Sequence, residues 1–114
     1  MSIQTNFKTP LMGRILELTK YVASVRTVPP KWLQNIAVLN IINKCFILSR
    51  LEIEHLRGKN VYGKILDNIT DIKVTSYFIY SLRGWTGKIC NRINTLCVDI
   101  EKQISKINMS MQES

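Results

Sequence analysis

From Lys31 to Arg57 the chain contains neither proline nor glycine, and between Ile36 and Leu51 its apolar residues lie almost all the way round a helical projection. Pro30 suits the entry to such a helix and Gly58 its stop. At 100° per residue only a narrow polar stripe remains, made by Asn40, Asn43, Lys44, Arg50, Glu54 and Arg57. A helix coated in this way needs neighbours on most sides. It implies a bundle, and it also hints at contacts beyond one bundle, with another subunit.

The flanking segments supply the neighbours. Thr9 is placed as an N-cap with Pro10 as the first helical residue, and Leu11, Ile15, Leu18, Val22 and Val25 then recur at spacings of four and three. Pro29 and Pro30 end this first helix, because the residue before a proline resists helical geometry. A third segment, roughly 60–82, keeps helical spacing through Tyr62, Ile65, Leu66, Ile69 and Ile72. Its later residues Val74, Thr75, Tyr77, Phe78 and Ile79 are strand-favouring types. A lone strand would have nothing to pair with, so the spacing predicts a helix throughout. Gly84 and Gly87 bracket Trp85 in a turn, and a last helix is expected from about Thr86 to Asn108, seamed by Ile89, Ile93, Leu96, Ile100, Ile104 and Ile107. The expected fold is therefore all-α, an up-down-up-down four-helix bundle over residues 10–108, with flexible tails at 1–9 and 109–114.

Several functions have little footing. No stretch reaches the roughly 20 apolar residues of a membrane span, and residues 1–9 lack the apolar core of a signal peptide. Secretion and membrane insertion are not expected. Cys45, Cys90 and Cys97 are odd in number and lack CxxC spacing, which reads as inert, buried thiols in a reducing compartment, the cytoplasm. His55 cannot complete a zinc site with them, so no metal and no cofactor are expected. Glu52, Glu54 and His55 read as a solvated helix end rather than a catalytic cluster. Gly84-Trp85-Thr86-Gly87-Lys88 is too short for a phosphate-binding loop. No enzyme is expected.

The charge is more telling. Sixteen Lys and Arg face eight Asp and Glu, a net charge of +8. In an up-down bundle the first and third connections share one end, which would gather Arg26 and Lys31 with Arg83, Lys88 and Arg92. Neither connection holds an acid. The other end carries Arg57, Lys59 and Lys64, with Lys102 and Lys106 on the last helix, and Lys44 and Arg50 stand on the polar stripe of the second helix. Clustered cations attract polyanions through counterion release. Arg26, Arg57 and Arg83 also complement helix C-termini, but that needs only one or two cations per end. Trp32 and Trp85, set among these cations, read as core plugs ahead of base-stacking platforms.

The order of elements resembles a known family. Val28-Pro29-Pro30-Lys31, Gly58-Lys59 through Lys64-Ile65-Leu66, and Ser81-Leu82-Arg83 are similar to elements of a small four-helix-bundle family. That family contains the accessory variability determinant proteins of diversity-generating retroelements and the proteins encoded by intervening sequences in bacterial ribosomal RNA genes. The likeness spans roughly residues 16–107. The chain departs from the retroelement group at its end, Ser105-Lys106-Ile107-Asn108, where a Gly-Gly-Trp-like ending is common, and at Gln34 and Asn35, where an Arg is expected. The resemblance implies a basic homopentameric ring without enzymatic activity that binds template RNA or DNA and a reverse transcriptase. It points to Pro30, Lys31, Leu82, Arg83, Lys59 and Lys64 as matched positions. The alternative expectation is a small helical protein-interaction module, viral or effector in type, that docks a partner through apolar helix faces.

Overall fold

The computed structural model describes residues 9–113, and their side chains through residue 108. Four helices follow in order: α1 at Pro10–Val25; α2 in three continuous stretches, Lys31–Leu33, a π-helical Gln34–Val38 and Leu39–Leu56; α3 at Tyr62–Ser81; and α4 at Gly87–Glu113. No strand occurs among the described residues, so Val74 to Ile79 are helical. α1 and α3 each lie between α2 and α4, which closes a four-helix bundle. The first eight residues of the expected N-terminal tail lie outside the described residues. At the other terminus α4 continues to Glu113 instead of ending near Asn108. No proline or glycine follows Asn108 to stop it.

Core and caps follow the apolar spacing. Leu11, Ile15, Leu18 and Val22 of α1 meet Ile41, Cys45 and Leu48 of α2, Ile65, Ile69, Ile72 and Ile79 of α3, and Ile93, Leu96, Cys97 and Ile100 of α4. Thr9 caps α1, its Oγ1 accepting the Met12 N–H at 3.0 Å and donating to Glu52 Oε1. Glu52 is thus fully buried, contrary to its expected place on a solvated helix end. It ties the start of α1 to the end of α2. His55 is half-buried and hydrogen-bonded to the Tyr62 hydroxyl.

Between the helices, Arg92 reaches Glu17 at 3.2 Å, Lys44 reaches Asp71 at 3.0 Å, and Lys73 reaches Glu101 at 3.2 Å. These partly exposed pairs mark the register of neighbouring helices. Each contributes about 0–1 kcal/mol, so the apolar seams hold the bundle. Burial pushes the Cys45 thiol up to about 11 and the Cys97 thiol up to about 12. Both stay protonated and inert at neutral pH.

The π-helical stretch changes which residues of α2 face outward. Backwards from Glu52 the core positions are Leu48, Cys45 and Ile41, then the adjacent pair Val38 and Ala37 inside the π-helical stretch, and before it Leu33. One added residue turns everything before it by about 100° relative to an uninterrupted helix. Leu33 therefore enters the core in place of Gln34. Released from the core, Gln34 donates its Nε2 to the carbonyls of Thr27 at 3.0 Å and Pro29 at 3.2 Å, closing the first connection.

Candidate nucleic-acid interface

The first and third connections meet at one end of the bundle. Trp85 is buried at 2% exposure, and its indole N–H donates to the Val25 carbonyl at 3.2 Å, pinning the third connection onto the end of α1. A Cβ on Gly84 would lie 3.0 Å from Leu33 Cδ2 and 2.7 Å from Ile79 Cγ2, so the backbone there lies close against both α2 and α3. Arg26, Lys31, Arg83 and Lys88 all stand exposed on these connections and the helix turns beside them. Among the described residues none of the four has a carboxylate partner.

The absence of acids is written into the chain. None occurs between Glu17 and Glu52, nor between Asp71 and Asp99. At 1.5 Å per residue, the eight residues from Glu17 to Val25 and the ten from Asp71 to Ser81 leave roughly the last 12 Å of the bundle free of negative charge. Lys20 on α1 adds a further exposed cation to this zone, without a carboxylate partner among the described residues, one that sequence reasoning missed although the gap in acids marks it. The other sequence-derived candidates fare differently. Arg92 is paired with Glu17, and Lys44 with Asp71. At the opposite end Arg57 and Lys59 both pair with Glu54, at 3.5 and 3.2 Å. Lys64 is exposed in the first turn of α3, and Arg50 is exposed on α2 about two turns before its end. Lys102 and Lys106 on α4 are likewise exposed and outside these pairs, but the end they share with Lys64 also holds Glu54 and Asp67. Among the described residues, the end where the first and third connections meet gathers cations with no acid between them.

Three features of that end work against the stability of the fold. Lys31 and Lys88 sit in the first turns of α2 and α4, where a cation opposes the helix dipole by about 0.3–1 kcal/mol. Arg83 adopts φ +60°, a left-handed conformation that costs an L-residue roughly 1–2 kcal/mol. Its N–H donates to the Tyr80 carbonyl at 2.9 Å and that of Gly84 to the Ile79 carbonyl at 2.8 Å, which is a Schellman ending for α3. The end of α2 makes the same motif, with Gly58 at φ +88° in the equivalent place. α3 thus carries an arginine where α2 carries the residue suited to the turn. Sterics place glycine one residue later, at Gly84, where no Cβ fits.

The two tryptophans part company here. Trp85 is the core plug that the sequence suggests, whereas Trp32 is 64% exposed beside Lys31. A shallow cleft of about 210 Å³ opens next to the first connection, lined by Arg26, Thr27, Asn35, Leu39 and Ile42. Among the described residues, no group of three or more His, Cys, Asp or Glu side chains is placed to hold a metal, and no helix is long and apolar enough to cross a membrane. No family model, curated protein or solved structure matches the chain.

Proposed function

We propose that the chain is a polyanion-binding accessory protein whose ligand is RNA or DNA, gripped through the acid-free end of the bundle. The observation that carries this reading is the convergence of Arg26, Lys31, Arg83 and Lys88, uncompensated by any described carboxylate, where two connections meet. Phosphate contacts supply most of the affinity and little base readout, because the cations belong to no groove-reading motif. Four to five phosphate contacts give a slope near −4 in log affinity against log salt, a loss of roughly 100- to 500-fold between 50 and 200 mM. Fluorescence anisotropy of a labelled oligonucleotide at several salt concentrations measures this. Affinity indifferent to salt overturns it, and so does unchanged binding by the triple variant Arg26→Ala/Arg83→Ala/Lys88→Ala.

The resemblance to the retroelement accessory family extends the proposal. In that setting the protein assembles as a ring of five copies, the family pattern, and serves a reverse transcriptase during complementary-DNA synthesis in the cytoplasm. One structural feature favours self-assembly. Ile36 is 74% exposed and Phe46 59%, and with Leu39 and Ile53 they form an outward stripe on α2 that a single bundle leaves uncovered. Repetition of a modest basic end around a ring converts weak contacts into strong ones. The same stripe also fits the second reading, a module that docks a different protein. Light scattering separates the two: a multimer supports the ring, and a monomer at micromolar concentration favours the docking module.

A further inference from the structure

The basic end is also the aromatic end. Trp32 and Tyr77 are each 64% exposed, and Phe78 and Tyr80 are exposed beside them. The phase shift in α2 gives Trp32 the place that residue 33 would hold in an uninterrupted helix. That place is about three turns before Lys44, on the edge of α2 that faces α3. Phe78 lies two turns after Asp71, the partner of Lys44, and so on the edge of α3 that faces α2. On the other side of α3, Tyr77 and Tyr80 stack obliquely with ring centroids 6.1 Å apart. The Tyr80 ring covers the start of α4, 3.6 Å from where a Cβ on Gly87 would stand, next to Lys88. Exposed aromatic faces therefore flank the last turn of α3, with Lys31 at the start of α2 on one side, Arg83 and Lys88 on the other, and Arg26 across the same end after α1. Among the described residues at the opposite end, the Tyr62 ring is buried.

We infer that this end binds single-stranded nucleic acid, with unpaired bases stacked on Trp32 and on the Tyr77–Tyr80 pair and the phosphates held by Arg26, Lys31, Arg83 and Lys88. The inference rests on the polyanion-binding reading above and adds the strandedness of the ligand. Its basis is chemical. A duplex offers its phosphates but hides its base faces, so cations alone would serve it and exposed indole and phenol rings would gain nothing. A single strand presents both, and every base has a face that stacks. Charge complementarity selects this occupant over an apolar helix, since an apolar partner would leave the surrounding cations unpaired.

Two tryptophans in different settings make the test internal. Oligo(dT) and oligo(U) are titrated into the full chain at fixed low salt and compared with a duplex of equal length, following tryptophan emission and anisotropy together. Single strands are expected to quench the Trp32 contribution while the buried Trp85 emission persists, and to bind at least tenfold more tightly than the duplex. Trp32→Ala should weaken single-strand binding about 5- to 150-fold, the range for one stacked base, and leave duplex binding unchanged. Tyr77→Ala/Tyr80→Ala, at exposed positions, should do the same by an independent route. Equal affinity for both forms, unmoved by either variant, overturns the stacking inference while the electrostatic reading stands. Binding of neither form overturns that reading itself. Burial of Trp32 on raising the protein concentration without nucleic acid assigns the face to a second copy and also overturns the inference.

Discussion

Replacing Arg83 with glycine should make the protein more stable and a poorer binder at once. The left-handed conformation at φ +60° costs the arginine about 1–2 kcal/mol, which glycine does not incur. Against this, glycine adds unfolded-state freedom worth about 0.4–1 kcal/mol. The difference is a stabilisation of about 0.5–1 kcal/mol, or a rise in Tm of roughly 2–8 °C for a bundle of this size. The hydrogen bonds of the Schellman ending involve backbone atoms alone and persist in the variant. Removing one phosphate contact should reduce the salt slope of nucleic-acid binding by about 1. Differential scanning fluorimetry gives the first quantity and anisotropy the second. Arg83→Lys is the control, keeping both the strain and the charge, with Tm and slope near those of the parent. A Tm that falls in Arg83→Gly would refute the reasoning, because it would show the arginine side chain making a stabilising contact that outweighs its backbone.

Other substitutions test the frame around that end. Trp85→Phe keeps most of the buried ring but deletes the hydrogen bond to the Val25 carbonyl, and should cost about 1–2 kcal/mol in urea denaturation. The Ser76 hydroxyl is buried with no hydrogen-bond partner, so Ser76→Ala should be neutral or stabilising by up to about 1 kcal/mol on the same measurement. The raised thiols make a prediction about pH. Cys45 and Cys97 hold their protons in the folded state up to about 11 and 12, whereas in the unfolded chain they ionise near 9. The unfolded state therefore binds fewer protons above pH 9, and stability falls there by about 1.4 kcal/mol per thiol by pH 10. Cys45→Ala/Cys97→Ala should flatten that part of the stability profile, and in the parent neither thiol should react with Ellman's reagent at pH 8.

The helical frame was legible because Pro29, Pro30, Gly58, Gly84 and Gly87 lie at its joints and the apolar spacing runs almost unbroken between them. The strand-favouring run from Val74 to Ile79 did not mislead. Its neighbours were helices, and tertiary packing outweighs weak propensity. The pairing of connections at one end also followed from topology. Side-chain fates decided by three-dimensional register did not. Glu52 looks like part of a charged helix end, yet the turn of α2 aims it at Thr9, and the cap it completes offsets part of its burial. The π-helical stretch leaves no mark in residue type, so the rotation that brings Leu33 inward and turns Trp32 towards the α3 side could not be read from a regular 100° projection. Arg57 and Lys59 look as free as Arg83 and Lys88. Only the structure shows that Glu54 reaches both of the former.

The contrast between the two ends decides how the charge should be understood. Both ends close a helix with a Schellman turn and both carry several cations. At the end with Gly58, the turn has its favoured residue, Arg57 and Lys59 have an acidic partner, and the nearby aromatic ring is buried. Every one of those choices lowers the free energy of the fold. At the end with Arg83, each of these choices is reversed: a strained arginine in the turn, aromatic rings in water, and cations with no compensating carboxylate among the described residues. Random surface variation would scatter such costs of about 0.3–2 kcal/mol over the molecule. Their coincidence within one face, at positions where cheaper residues fit the same backbone, is what a binding surface looks like when its ligand supplies the missing negative charge and the missing stacking partners.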